Sequence, residues 1–90
     1  MGRIKQIWYD CSVINDIEIE EKLQSLQIPF MRISKNNLLV QSELSAHSLY
    51  DQLGSVISKK GILIGGFDPN DYWGYMDGGL WTWIKSINAQ

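Results

Sequence analysis

Cysteine, histidine and proline are scarce in this sequence, which has one cysteine, one histidine and two prolines in 90 residues. The single Cys11 cannot form an internal disulfide, which favours a reducing compartment over secretion. The single His47 has no serine, cysteine or acidic partner at a local spacing that would indicate a nucleophile and its base. These absences exclude a disulfide-stapled domain, and a role of His47 as a general base stays open without a local partner to support it.

Long apolar runs are also missing. No stretch approaches the ~20 apolar residues that a membrane-spanning helix needs. Arg3, Lys5 and Asp10 interrupt the apolar core that a signal peptide would need near Met1. We therefore expect a cytoplasmic protein that does not associate with membranes.

Basic charge is low and scattered along the chain. Eight Lys and Arg residues are outnumbered by ten Asp and Glu residues, for a formal net charge of −2. A protein that depends on phosphate contacts usually carries a clustered basic face. Strands can still bring Arg3, Lys5, Arg32 and Lys35 together, so a small basic patch and a nucleic-acid partner stay open.

The length and the first half of the chain predict one domain, residues 1–90, that starts as strand, helix and hairpin. Ile4–Tyr9 is short, β-branched and aromatic, as in a strand. Asn15, with a glutamate three residues on, starts a helix expected over 16–27, and Pro29 stops it. Two short apolar segments, 30–33 and 38–40, flank an Asn-containing turn and predict a tight hairpin.

The second half predicts another helix, a strand and a terminal helix. Residues 42–45 supply capping side chains for the second helix. Its expected buried face consists of Ala46, Leu49, Tyr50, Leu53 and Val56 or Ile57. The run Ile62–Ile64, closed by two glycines, suits an inner strand. The apolar spacing over 80–87 predicts the last helix, with Asp77 near its start.

This order of elements predicts an α+β, ferredoxin-like βαββαβ fold with an additional C-terminal helix. Two helices would cover one face of a four-stranded antiparallel sheet, with the first and third strands in the middle. The other face would be open and would present either Trp8 or Tyr9. An exposed aromatic sheet face favours association, so we expect a homodimer.

The same segments resemble the CRISPR-associated Cas-two-like superfamily of small bacterial and phage proteins. The resemblance runs through most of the chain. The segments that carry it are the first strand ending in Trp8-Tyr9-Asp10, the helix from Ile17 to Leu26, the hairpin strands 30–33 and 38–40, the segment 44–53, Ile62-Leu63-Ile64 and Trp81-Thr82-Trp83-Ile84-Lys85. Their order and spacing are more specific than any one segment.

The resemblance implies a homodimer of bacterial or phage defence systems that acts on or beside nucleic acid. In nuclease members a strand-end aspartate, Asp10 here, faces its symmetry mate and binds a divalent metal. Asp10 is therefore the candidate catalytic residue and Mg²⁺ ligand of a metal-dependent endonuclease, since Mg²⁺ prefers oxygen ligands and can activate water. The alternative is that Asp10 only caps the turn into Cys11 and Ser12.

The aromatic residues indicate a second class of function. Tyr72, Trp73 and Tyr75 lie on a loop-like segment and, with Trp8, are candidate interaction residues because exposed aromatics suit binding hot spots. Trp81 is expected to pack its helix onto the sheet. The alternative function is a non-catalytic interaction module, an antitoxin or an inhibitor of a defence enzyme, that binds a basic protein partner through an acidic surface and this loop.

Overall fold

The computed structural model describes residues 3–54, 61–68, 74 and 78–88. Its elements are β1 Ile4–Tyr9, α1 Asp16–Ser25, β2 Phe30–Ser34, β3 Asn37–Gln41, α2 Ala46–Leu53, β4 Ile62–Phe67 and α3 Gly78–Asn88. This is the order of strands and helices that the sequence predicts. Among the described residues, no helix has the length and apolar character needed to cross a membrane.

The strands form one antiparallel sheet in the order β2-β3-β1-β4. The first and third strands are central, as predicted, and the α+β architecture is compatible with a ferredoxin-like fold. However, β4 lies at the end of the sheet, so the expectation of an inner strand is wrong. Gly65 and Gly66 do not close β4 either, because both pair with β1 and the ladder continues to Phe67.

Helix α1 begins where its capping side chain predicts. The Asn15 side chain accepts hydrogen bonds from the backbone N–H groups of Ile17 and Glu18, at 2.8 and 3.2 Å. Such a cap satisfies donors that have no partner within the helix. Ile14 before the cap and Ile19 after it are both buried in the same apolar cluster. The start of α1 is therefore encoded locally.

The end of α1 comes two residues earlier than predicted, at Ser25. Gln27 takes a positive φ of 58°, and the N–H of Ile28 donates to the carbonyl of Leu23 at 2.9 Å. This is a Schellman-type ending, in which a left-handed residue closes the helix. The backbone thus leaves the helix before Pro29 can stop it.

Helix α2 buries a narrower face than predicted. Leu49 and Leu53 are fully buried, whereas Tyr50 is 43% exposed, so the expectation for Tyr50 is wrong. Adjacent helical residues point about 100° apart. Because Leu49 points toward the sheet, Tyr50 points partly toward solvent. Val56 and Ile57 lie outside the described residues.

Helices cover the two faces of the sheet unequally. Helices α1 and α2 pack on one face, around Ile7 and Tyr9 of β1. Helix α3 packs on the opposite face, where Ile84 belongs to the same buried cluster as Ile4 and Leu39. The expectation that this second face is open is therefore wrong at one end, because the apolar stripe of α3 covers it. Trp81 packs against this second cluster, as predicted.

Candidate functional site

An apolar pair remains exposed on the face that α3 covers in part. Trp8 of β1 and Leu63 of β4 are direct partners across the sheet. Their exposed fractions are 48% and 68%. Side chains two residues apart share a face of a strand, so Trp8 points to the same side as Ile4, while Tyr9 points to the opposite, buried side. The sequence predicted that either Trp8 or Tyr9 points outward, and in the structure it is Trp8.

Small and amide side chains surround this pair. Gln6 lies on the same face and donates from Nε2 to Oδ1 of Asn37 at 3.2 Å. Gly65, opposite Gln6, would meet no atom within 4 Å if it carried a Cβ. The face therefore offers open space beside two exposed apolar side chains. We call Trp8, Leu63, Gln6, Asn37 and Gly65 the apolar platform.

Asp10 forms a turn directly after β1. Its Oδ1 accepts hydrogen bonds from the backbone N–H and the Oγ of Ser12, at 3.0 and 2.6 Å. Its carbonyl accepts from the N–H groups of Val13 and Ile14, both at 3.0 Å. The Ser12 hydroxyl, followed by the Ser12 N–H, lowers the pKa of the exposed Asp10 carboxyl from its ordinary value. This geometry is that of a turn cap, the alternative that the sequence left open.

The described residues of one chain do not make up a magnesium site around Asp10. Mg²⁺ requires near-octahedral oxygen coordination, although water can supply several positions. Within residues 3–54, 61–68, 74 and 78–88, no three His, Cys, Asp or Glu side chains group to hold a metal. One oxygen of Asp10 is already engaged by Ser12. The metal and catalytic roles of Asp10 stay predictions that require a second copy of the chain.

A polar network ties the end of β1 to α1 and β2. The buried Tyr9 hydroxyl donates to Asp16 and accepts from Nη2 of Arg32 at 2.8 Å. Nε of Arg32 donates to Glu20 at 2.5 Å. Burial and the Asp16 hydrogen bond raise the pKa of Tyr9 to about 12, and Arg32 opposes the rise. Tyr9 is therefore neutral in the folded protein over the physiological range.

The structure does not bring Arg3, Lys5, Arg32 and Lys35 together into the basic patch that the sequence left open. Arg32 is held within the Tyr9 network, and its Nη1 donates to two carbonyls of the β2–β3 turn. Lys5 is only 6% exposed, and its Nζ donates to the Ser42 carbonyl at 3.2 Å. Arg3 and Lys35 are exposed near opposite ends of β1, a strand about 20 Å long. Lys5 and Arg32 are therefore engaged within the protein, and the length of β1 separates Arg3 from Lys35.

His47 does have an acidic partner, contrary to the sequence analysis. Its Nε2 lies 3.4 Å from Oδ2 of Asp51, one turn further along α2. Both side chains are largely exposed to solvent. Exposed pairs at this spacing contribute little to stability. The pair is a surface feature of α2 and does not form a site with Asp10.

Sequence reasoning identified Trp8 but missed Leu63. The run Ile62–Ile64 looked uniformly buried because all its members are apolar. Alternation along a strand would have separated Leu63 from its two neighbours, which point to the helices. The other three predicted interaction residues lie outside the described residues. They are Tyr72, Trp73 and Tyr75.

Searches of protein-family models, of curated proteins and of solved structures find no match to this chain. The resemblance to the Cas-two-like superfamily therefore rests only on the segments named above.

Proposed function

We propose that this protein is a small non-catalytic module that binds another protein through the apolar platform. The observation that carries the proposal is the exposure of Trp8 and Leu63 side by side on the sheet. Large exposed apolar side chains grouped together mark interaction sites more often than single ones do. Tryptophan is also enriched among residues that dominate binding energy.

The charge distribution supports a protein partner over a nucleic acid. Lys5 and Arg32 are engaged by the Ser42 carbonyl and by Glu20, which leaves neither as a free phosphate ligand. The chain carries a net charge of −2, which suits a basic partner. An exposed apolar surface and a negative net charge suit an antitoxin or an inhibitor of a defence enzyme, because such proteins act by binding to the surface of another protein.

The decisive comparison is between two exposed aliphatic residues. Leu63 on the platform and Ile17 on α1 are each 68% exposed, so Ile17→Ala is a matched control. A tagged chain would be cross-linked in the cells that produce it, and the captured protein would be purified and titrated. We expect Trp8→Ala and Leu63→Ala to weaken its binding about tenfold or more, as hot-spot truncations do. Equal binding by these variants and Ile17→Ala would contradict the proposal.

A ferredoxin-like topology is part of the proposal. The order β2-β3-β1-β4, with β1 and β3 central, supports it. In addition, α1 and α2 pack on the same face of the sheet. The additional helix α3 restricts the exposed part of the second face to the platform.

A Cas-two-like nuclease is the second candidate, on one observation. Asp10 is exposed after the carboxyl end of β1, and its lowered pKa keeps the carboxylate charged. A homodimer would supply a second carboxylate. Labelled RNA and DNA would be incubated with Mg²⁺, Mn²⁺ or EDTA. Asp10→Asn removes the charge but keeps an acceptor for Ser12, so cleavage lost in this variant would support the candidate, and unchanged cleavage would exclude Asp10.

A further inference from the structure

We infer that the partner binds as an additional β-strand along the outer edge of β4, next to the apolar platform. This inference rests on the proposed function and specifies its mode and the chemistry of the partner. Addition of a strand to a sheet edge combines backbone hydrogen bonds with side-chain contacts at alternate positions.

The backbone of β4 directs alternate hydrogen-bonding groups away from β1, along its outer edge. The N–H of Asp10 donates to the carbonyl of Gly61 at 2.7 Å. With the register of the β1–β4 ladder, this bond shows which residues of β4 direct their backbone groups toward β1. In an antiparallel ladder, alternate residues bond to the same neighbour. Ile62, Ile64 and Gly66 therefore direct their N–H and C=O groups away from β1. These groups make no hydrogen bond to any other described residue.

The two edge strands, β2 and β4, differ in the features that prevent pairing with another strand. The β2 edge follows Pro29, carries the charged Arg32 and has an irregularity between Arg32 and Ser34. The guanidinium of Arg32 also donates to the carbonyls of Ser34 and Lys35. Proline, charge and bulges are the features that keep edge strands from pairing. By contrast, β4 has the sequence ILIGGF, without charge or proline.

Both faces of β4 have room for the side chains of an added strand. A Cβ at Gly65 or at Gly66 would meet no atom within 4 Å. Gly65 lies on the platform face, next to the exposed Leu63, and Gly66 lies on the opposite face. An added strand can therefore place apolar side chains against Leu63 and over Gly65.

Charge at one end of the edge specifies the partner further. Asp10 carries an exposed carboxylate beside Gly61, and hydrogen bonds from Ser12 lower the pKa of that carboxyl. Gly61 has no side chain that would stand between a basic residue of the added strand and the Asp10 carboxylate. An added strand would lie about 10 Å from β1, two strand spacings away, which a Lys or Arg side chain can largely span. The partner segment is thus extended, apolar at alternate positions and basic at one end.

The test measures fluorescence anisotropy of a fluorescein-labelled peptide, Lys-Val-Thr-Val-Thr-Val-Lys. The peptide has a Lys at each end, so that an added strand running in either direction places one Lys at the Asp10 end of the edge. Gly66→Pro removes an outward N–H at a position where a proline is tolerated on an edge strand. Gly66→Ala adds a Cβ in the same open space and keeps the N–H. We expect the peptide to bind the wild type and Gly66→Ala, and Gly66→Pro to lose about tenfold in affinity or more.

Two further measurements keep the test independent of the folding of Gly66→Pro. The first uses the peptide methylated on its backbone nitrogens, which we expect not to bind because it lacks the donors. The second is amide hydrogen exchange, which we expect to slow at Ile64 and Gly66 when the peptide is added. A peptide with Glu in place of Lys should bind more weakly, because it faces Asp10.

The remaining outcomes separate this inference from the proposed function. If Leu63→Ala abolishes capture of the cellular partner but Gly66→Pro binds it normally, the platform stands and strand addition is wrong. If neither variant affects capture, the proposed function fails as well. Concentration-dependent self-association that Gly66→Pro removes would identify a second copy as the occupant, and would overturn the inference of a basic partner strand.

Discussion

Tyr9 and Asp10 are adjacent at the end of β1 but differ in both burial and charge. Tyr9 points to the helices, is fully buried and is neutral. Asp10 has left the strand, is exposed and is charged. Alternation along β1 also directs Trp8 to the face opposite Tyr9, so the three consecutive residues 8–10 have three different surroundings.

For Asp10, we predict that Ser12→Ala raises the pKa of the carboxyl toward its ordinary value of 3.8. The hydroxyl hydrogen bond favours the charged form, and the alanine variant retains only the N–H donor. A lowered folded-state pKa stabilises the protein above the unfolded pKa, and this stabilisation is lost as pH falls through the folded pKa. Carboxyl NMR titration measures the shift, with Ser25→Ala on α1 as control. An unchanged titration of Asp10 would refute the role of Ser12.

For Tyr9, we predict that Tyr9→Phe lowers the free energy of unfolding by about 1–3 kcal/mol, since Arg32 and Asp16 lose a partner. The raised folded pKa of about 12 means that the contribution of Tyr9 is complete below pH 10 and is lost as pH approaches 12. The difference between the variant and the wild type should therefore shrink over that range. Urea unfolding at several pH values measures it, and Tyr50→Phe, exposed on α2, should have little effect.

At the scale of elements, β4 is preceded by a glycine at positive φ and contains two glycines that do not have positive φ. Gly61 has a φ of +103°, and a Cβ there would lie 3.0 Å from the Cβ of Asp10. Gly65 and Gly66 have ordinary φ values and open space around them. The same residue type therefore serves two purposes. It allows the close approach that starts the strand, and it leaves the outer part of the strand accessible.

We predict that Gly61→Ala destabilises the protein by about 1–3 kcal/mol, because it combines a disfavoured φ with a close contact. Gly65→Ala should be neutral or stabilising by up to about 1 kcal/mol, since it only restricts the unfolded chain. Urea unfolding of the two variants side by side measures the difference. Equal stability of the two would mean that the conformation of Gly61 is not required.

At the scale of the whole molecule, one sheet separates two apolar clusters. The larger cluster lies beneath α1 and α2, and the smaller lies beneath α3. Only the smaller one borders the exposed platform. The position of α3 therefore sets the limit of the surface available to a partner.

We predict that Ile84→Ala costs about 2–5 kcal/mol, because Ile84 is 1% exposed within the smaller cluster. Lys85→Ala on the exposed side of the same helix should change stability by less than about 0.5 kcal/mol. Thermal unfolding monitored by circular dichroism compares them. A small effect of Ile84→Ala would mean that α3 contributes little to covering the sheet.

Local chemistry made the elements predictable from the sequence. Asn15 and Ser45 cap the two helices where expected, because each needs only the N–H groups of the next turn. Alternation and turn composition likewise predicted the hairpin. The Schellman ending at Gln27 was missed because glutamine is an unusual residue at positive φ.

The sequence by itself thus determined the order of strands and helices, and where α1 and α2 begin. Tertiary structure alone decided that α3 covers one end of the second face. It also decided that Lys5 and Arg32 are engaged within the protein. Periodicity identifies an apolar side, but the partner of that side depends on contacts between residues far apart in the chain. The exposed platform of Trp8 and Leu63 is what those contacts leave uncovered.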